Sequence, residues 1–456
     1  MHSPTHPFRA LVTLALTVAL TVTLGLGIAP PAHADGTNPP TPGDFTGYGF
    51  DQCLTPEQYK MNAWLESSPF LAVGIYISGK SRACREQPNL TPEWVQTQLA
   101  KGWRLLPITL GPQADCLDRY PRYGDDPTII PTPGKKGRYS KARKQGAAEA
   151  TTAVTEATRL GIVPGSTLWY DLEGFNANNT TCRESALWFL TGWTRQVRRL
   201  GYVSGVYSSV GSGIKMLDDA RVQRPGVFTL PDRIWLARWD GLANTSSDYI
   251  LEDGWRPGGR VKQYKGGHDE RWGGVKINID SNYLELGNGL VAPDEVHCDG
   301  TRVSFKDYPR LAPPSPDKRP GRRMVTALKC LLREQAVYSG NLKGRYSPKL
   351  VQAIRAWKQA RGVKVNDAWS QRNWVMLFAA GAGGVNPVLK VGSTGNDVRR
   401  LQRALNAAND ATRLPVSGVF DGFTERAVRA YQARVGLENS GVAGSQVWAA
   451  LLAGKR

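Results

Sequence analysis

Residues 166–174 read Ser166-Thr167-Leu168-Trp169-Tyr170-Asp171-Leu172-Glu173-Gly174. A mostly apolar run ends on two carboxylates two positions apart. In a β-strand, residues i and i+2 share a face, about 6–7 Å apart. Asp171 and Glu173 are therefore expected to project together from the carboxyl end of one strand. Paired carboxylates at such a place suit glycoside hydrolysis: one gives a proton, the other stays ionised as base, nucleophile or stabiliser. A turn cap beside a solvated acid would read the same way, so the surroundings decide.

Outward from this strand the chain alternates. Short apolar runs at 48–51, 71–77, 103–110, 168–173, 203–207, 234–238, 261–264 and 277–280 read as strands, several buried on both faces. Helical stretches fall between many of them. Thr91-Pro92 opens one, with Thr as N-cap and Pro at the first position. The Ala-rich stretch 140–160 stops at Gly161, and 181–200 stops at Gly201. Between Tyr264 and Ile277 the helical signal is weak. The rhythm predicts an α/β fold, a (β/α)8 TIM-type barrel over residues 48–310.

Active sites of that fold sit at the carboxyl ends of the strands. Asp51, Asp171, Glu173 and Asp280 all fall there. First and eighth strands are neighbours in a closed barrel, so Asp51 and Asp280 should be close, with the fourth strand across the mouth. Tyr207, Trp239, Gln263 and Tyr264 end other strands. Their aromatic faces and amide suit sugar rings and hydroxyls.

Residues 1–34 read as a secretory signal: Arg9, then an apolar run from Leu11 to Ile28, then Ala32-His33-Ala34 before Asp35. No later stretch is apolar enough to span a bilayer, so an exported chain without a membrane partner is expected. All six cysteines (Cys53, Cys84, Cys116, Cys182, Cys298, Cys330) follow the cleavage point. An even number in an exported chain predicts disulfides, and six allow 15 pairings. The expected pairs are Cys53–Cys84, Cys116–Cys182 and Cys298–Cys330. The first four cysteines follow strands one to four and can staple loops at one rim. The last two bracket a linker.

Paired cysteines leave no catalytic thiol, and only His268 and His297 remain after cleavage. A cysteine peptidase or a zinc amidase is thereby poorly supported. No metal or organic cofactor is expected. The formal charge is +19, or +18 without Arg9, with denser patches at 135–144 and 318–323. Such a chain is drawn to polyanions by screened long-range attraction. Outside a bacterium these are anionic wall polymers such as teichoic acids and acidic glycans, or anionic lipids, with nucleic acid as the runner-up. No nucleic-acid module is recognisable.

Six motifs carry a resemblance: Gly49-Phe50-Asp51, Tyr170-Asp171-Leu172-Glu173, Gly205-Val206-Tyr207-Ser208-Ser209, Trp235-Leu236-Ala237-Arg238-Trp239, Lys262-Gln263-Tyr264 and Ile279-Asp280-Ser281-Asn282. In this order they resemble the secreted actinobacterial glycoside-hydrolase-like domain, a barrel of unassigned function. The likeness spans about 47–286 and includes the first four cysteines. More distantly they resemble the Chalaropsis-type lysozymes of glycoside hydrolase family 25. That resemblance implies an active centre of Asp51, Asp171, Glu173 and Asp280, with Glu173 as proton donor. Lys262 departs from it, since those lysozymes commonly carry Trp there.

The rest of the chain repeats itself. Gly344–Trp374 aligns on Gly418–Trp448 at a constant offset of 74, pairing Trp357 with Tyr431 and Trp374 with Trp448. Apolar residues at helical spacing, such as Val398, Leu401 and Leu405, make each copy a small all-α three-helix unit. The second copy, 388–454, resembles a peptidoglycan-binding domain through Gly395-x-Asp397-Val398-x-x-Leu401-Gln402, Gly418-x-Phe420-Asp421 and Tyr431-Gln432. That likeness points to Asp421 and Gln432 as glycan-binding residues. The first copy, 324–380, has Ser347 and Lys358 at those places and reads as degenerate. Residues 35–47 and 311–323 read as Pro-rich linkers, and 380–387 as a Gly-rich one.

These readings converge on an exported, wall-associated glycosidase cleaving peptidoglycan or a related wall glycan. The rival is a non-catalytic glycan-binding protein on the same scaffold.

Overall fold

The run at 166–170 becomes strand β4 (Thr167–Asp171), and all of it is buried. In the computed structural model eight strands close one barrel in the order β1 to β8. The others are β1 (Thr46–Asp51), β2 (Phe70–Ser78), β3 (Arg104–Thr109), β5 (Val203–Ser209), β6 (Arg233–Ala237), β7 (Gly259–Trp272) and β8 (Val275–Leu286). The structure describes residues 37–117, 119–317, 319–381, 386–409 and 413–456. The expected signal segment, Lys318 and part of the expected linker 380–387 lie outside the described residues.

Five helices follow the first five strands: α1 (Gln58–Ser67), α2 (Pro92–Ala100), α3 (Ser140–Arg159), α4 (Thr180–Arg199) and α5 (Lys215–Gln223). The Thr91 hydroxyl accepts from the Trp94 amide at 3.1 Å, as an N-cap does. Gly161 (φ 75°) and Gly201 (φ 85°) end α3 and α4 in the left-handed conformation that suits glycine.

The last third of the barrel departs from the repeating pattern. Among the described residues no helix follows β6 or β7. Strands β7 and β8 form a hairpin instead, and β8 runs antiparallel to both β7 and β1. Its turn is Gly273-Gly274, with φ of 56° and 78°. Two positive φ values suit a two-residue hairpin turn, which glycine adopts without strain. Asp280 therefore reaches the rim because β8 starts beyond it, rather than because β8 ends there. In register it faces Asp51.

The barrel interior is filled by Ala72, Leu106, Trp169, Trp235, Val261 and Leu284 among others, plugged by Phe45. Trp169 meets Trp235 edge to face, centroids 5.5 Å apart. Gly205 makes room: a Cβ there would lie 2.4 Å from the Trp169 ring. The lead-in to β1, expected as linker, is part of this packing. Thr41 is buried, and its hydroxyl donates to the Leu105 carbonyl at 3.0 Å.

Two three-helix units follow: α6 (Arg322–Glu334), α7 (Pro348–Ala360) and α8 (Gln371–Ala380), then α9 (Asn396–Ala408), α10 (Gly422–Val435) and α11 (Ser445–Leu452). Each helix of the second starts 74 residues after its counterpart. Their buried apolar residues form one continuous cluster, which Val303, Tyr308 and Leu311 join. The segment before α6 thus packs on the helical units. The second unit lies against the barrel on the side of β1 and β8. There the Tyr48 hydroxyl donates to Glu425 at 3.3 Å.

The disulfides join Cys53–Cys84, Cys116–Cys182 and Cys298–Cys330, with Cα separations of 5.7, 6.2 and 5.8 Å. This is the pairing expected from strand order. No helix among the described residues is long and apolar enough to cross a membrane.

Candidate active site

Strand ends and period-two alternation build the site. Asp51 is the last residue of β1 and is 4% exposed; Asp171 is the last of β4 and is 3% exposed. Glu173 falls two residues beyond the end of β4, where its side chain is 23% exposed. Asp51, Glu173 and Asp280 line one cleft of about 220 Å³ at the barrel mouth, with Tyr76 at its floor. Asp171 sits beneath, within 3.4 Å of the Tyr76 hydroxyl.

One amide ties the first and last strands. Gln263 Nε2 donates to Asp51 Oδ1 at 3.2 Å and to Asp280 Oδ2 at 3.3 Å. Its Oε1 accepts from the Tyr207 hydroxyl at 3.0 Å and from Trp239 Nε1 at 2.9 Å. In a neighbouring amide, Asn282 Nδ2 donates to Asp51 Oδ1 at 2.7 Å, and Oδ1 accepts from Trp235 Nε1 at 2.8 Å. Across the mouth, Gln113 Nε2 donates to the Asp171 carbonyl at 2.8 Å, and its Oε1 accepts from the Glu173 amide at 2.9 Å. Gln113 thereby sets the backbone that aims both acids.

Burial, then the charge of Asp280, push the Asp51 carboxyl up to about 7, against the pull of the Asn282 and Gln263 hydrogen bonds. Asp171 is pushed well above the usual carboxylate range, first by burial and then by Glu173 and Asp51. Its Oδ1 meets no donor among the described residues. Asp171 thus suits a neutral acid better than a fixed charge. Asp280 is raised too, chiefly by burial. Glu173 forms an ion pair with Arg119 of the β3–α3 loop.

The structure brings together Asp51, Asp171, Glu173, Asp280, Tyr207 and Gln263. Trp239 stands at the rim, 67% exposed, its ring against Gly266. Tyr264 is not at the mouth. Neighbouring strand residues face opposite ways, so with Gln263 inward Tyr264 turns outward, toward Ser281 and Glu425. Lys262, the residue departing from the lysozyme pattern, is buried and pairs with Asp240 at 2.7 Å, holding the loop after β6.

Asp421 and Gln432 lie far from the mouth. Asp421 is the N-cap of α10, accepting from the Thr424 amide at 2.9 Å. Gln432 does not face solvent freely: it is 2% exposed, Nε2 donates to Ser440 Oγ and the Val442 carbonyl, and Oε1 accepts from the Gly441 amide. In the first unit Ser347 caps α7, and Lys358 Nζ binds Asn366 and Ala368 in the matching loop. Sequence reasoning missed Tyr76, Gln113 and Arg119. Tyr76 hides within an apolar strand, and the other two sit in a loop without a motif. Asn282 stood in a quoted motif, two residues past Asp280, hence on its face.

Fold and site define an eight-stranded barrel with a carboxylate-lined mouth, joined to two three-helix units. Residues 62–284 match the family model of the Rv2525c-like, glycoside hydrolase-like domain, and residues 394–451 that of a peptidoglycan binding domain. Among solved structures, the chain is similar to the Mycobacterium tuberculosis Tat-secreted protein Rv2525c in complex with L-tartrate, at 13% identity over 52% of this chain and 95% of that one, TM-score 0.35. It is similar to an uncharacterized B. stearothermophilus protein at 16% identity over 52% and 95%, TM-score 0.32. A family 25 glycosyl hydrolase from Bacillus anthracis is 13% identical over 56% and 95%, TM-score 0.31. No curated protein matches the chain.

Proposed function

We propose that this protein is an exported glycoside hydrolase that cleaves a glycosidic bond in peptidoglycan or a related wall glycan, held on the wall by its helical units. The supporting observation is the convergence of Asp51, Glu173 and Asp280 on one cleft above the buried Asp171. Glu173, at the mouth and partly exposed, gives its proton to the leaving oxygen. Asp171, kept neutral by burial, hydrogen-bonds the sugar rather than supplying charge. Asp51 or Asp280 orients water, both reached by Gln263. Trp239 offers an exposed ring for a sugar face. Tethering through the peptidoglycan-binding unit raises the local concentration of the polymer. Three disulfides and the expected signal at 1–34 support export to the wall.

The second reading is a glycan-binding protein without turnover. The Arg119–Glu173 ion pair favours it, because a paired carboxylate has no proton to give. Incubation of the full chain with defined wall polymers, followed by a count of new reducing ends, decides between them. Release by the native protein and none by Glu173→Gln supports hydrolysis. No release from any polymer supports binding alone.

A further inference from the structure

Acids and arginines share the barrel mouth. Asp51, Glu173 and Asp280 line its cleft together with Arg82 and Arg122. Arg82 and Arg122 are committed locally. Arg82 Nε donates to the Gly79 carbonyl at 2.8 Å and Nη1 to the Tyr76 carbonyl at 3.1 Å. Arg122 Nη2 donates to the Tyr120 hydroxyl at 2.8 Å. Arg119 differs, because its guanidinium is spent on Glu173 itself. Its side chain is 54% exposed and lies over the Tyr120 ring, 5.8 Å from the centroid. The Cys116–Cys182 disulfide fixes the start of its loop to α4.

Two demands on Glu173 conflict. An ion pair requires its carboxylate, and proton donation requires its acid. Another anion on Arg119 resolves the conflict. We propose that Arg119 is a specificity-determining residue that receives a free carboxylate of the glycan, which displaces Glu173 from the guanidinium. This rests on the glycan-cleaving reading above and names its substrate class: a chain bearing an uncapped carboxylate beside the bond to be cut. No bond between heavy atoms changes in the exchange. The substrate carboxylate takes the guanidinium, and Glu173 takes one proton from solvent. A carboxylate is favoured over a phosphate because the guanidinium already fits one. Arg–carboxylate pairs are charge-assisted, directional and stronger than neutral hydrogen bonds.

Titration calorimetry on the full chain tests this with three probes. One is a tetrasaccharide alternating N-acetylglucosamine and glucuronic acid, the second is its carboxyl-reduced neutral form, and the third is a glycerol phosphate oligomer. Salt is kept high enough to screen the general positive charge. The acidic sugar is expected to bind about tenfold tighter than the neutral one. Arg119→Gln should erase that difference, and Glu173→Gln should enlarge it, because the internal competitor loses its charge. Arg159→Gln, at the far end of α3, controls for the loss of one positive charge. Equal affinity for acidic and neutral sugars, a preference surviving in Arg119→Gln, an equal loss in Arg159→Gln, or tighter binding of the phosphate oligomer each overturns the proposal. Reducing ends released without acid preference overturn it and leave hydrolysis standing. Acid-selective binding without release does the reverse.

Discussion

Asp51 and Asp280 are register partners on adjacent antiparallel strands, β1 and β8, and a single side-chain amide, Gln263 Nε2, reaches both carboxylates. Two acids this close, one of them fully buried, make the folded state hold protons that the unfolded chain releases.

The sign of the pH dependence follows. Asp51 ionises near 3.8 when unfolded and near 7 in the folded protein. Between those values the folded state binds more protons, so stability falls as pH rises and the penalty is complete above about 7. Asp51→Asn is expected to match the native protein in chemical denaturation at pH 4 and to exceed it at pH 8, on the order of 2–4 kcal/mol. A difference that stays flat between the two pH values would rule out the buried charge as its cause.

Lys390 predicts how the helical units are fastened. Its Nζ donates to the carbonyls of Leu65, Ser68 and Phe70, at 2.6, 2.7 and 3.1 Å, where α1 gives way to β2. Leu65 lies in the last turn of α1, where carbonyls lack a helical partner and a cation is favourable. Burial nevertheless pushes the ammonium down to about 7. Lys390→Met keeps the apolar stem and strands the three carbonyls, so a loss of about 2–4 kcal/mol is expected. Hydrogen exchange should quicken at residues 64–72. Exchange confined to the helical units would show that Lys390 does not join them to the barrel.

Trp239 predicts the opposite kind of effect. Its ring is two-thirds in solvent, rests against Gly266 and donates from Nε1 to Gln263. Trp239→Ala is expected to leave the melting temperature unchanged and to weaken glycan binding about five- to tenfold, the worth of one aromatic contact. A lowered melting temperature with unchanged affinity would make it a packing residue.

The barrel was legible because its signals are local. Apolar runs of strand length, Thr91-Pro92, Gly161 and Gly201 each report on a few neighbouring residues. The acids were legible because they end those runs. The hairpin was not, although Gly273-Gly274 is its turn signal, because the β-then-α rhythm led to an expectation of helix before strand eight. Tyr264 went astray by one residue, and one residue turns a strand side chain to the other face. Arg119 had no local signature at all. Its role comes from a loop placed by a disulfide between residues 66 positions apart.

Asp421 and Gln432 were read from the second repeat as glycan contacts absent from the first. Their geometry gives them structural work that the first repeat also performs. Ser347 and Asp421 both cap a helix, and Lys358 and Gln432 both bind the loop before the third helix. Asp421→Asn keeps a capping oxygen and removes the charge, so it should cost only a few tenths of a kcal/mol and leave retention on insoluble peptidoglycan unchanged. Gln432→Ala strands Ser440, Gly441 and Val442 and should cost about 1–3 kcal/mol. At high salt, where the basic charge is screened, its retention should fall only as far as its folded fraction falls. Full stability with lost retention in either variant would restore that residue to the glycan surface.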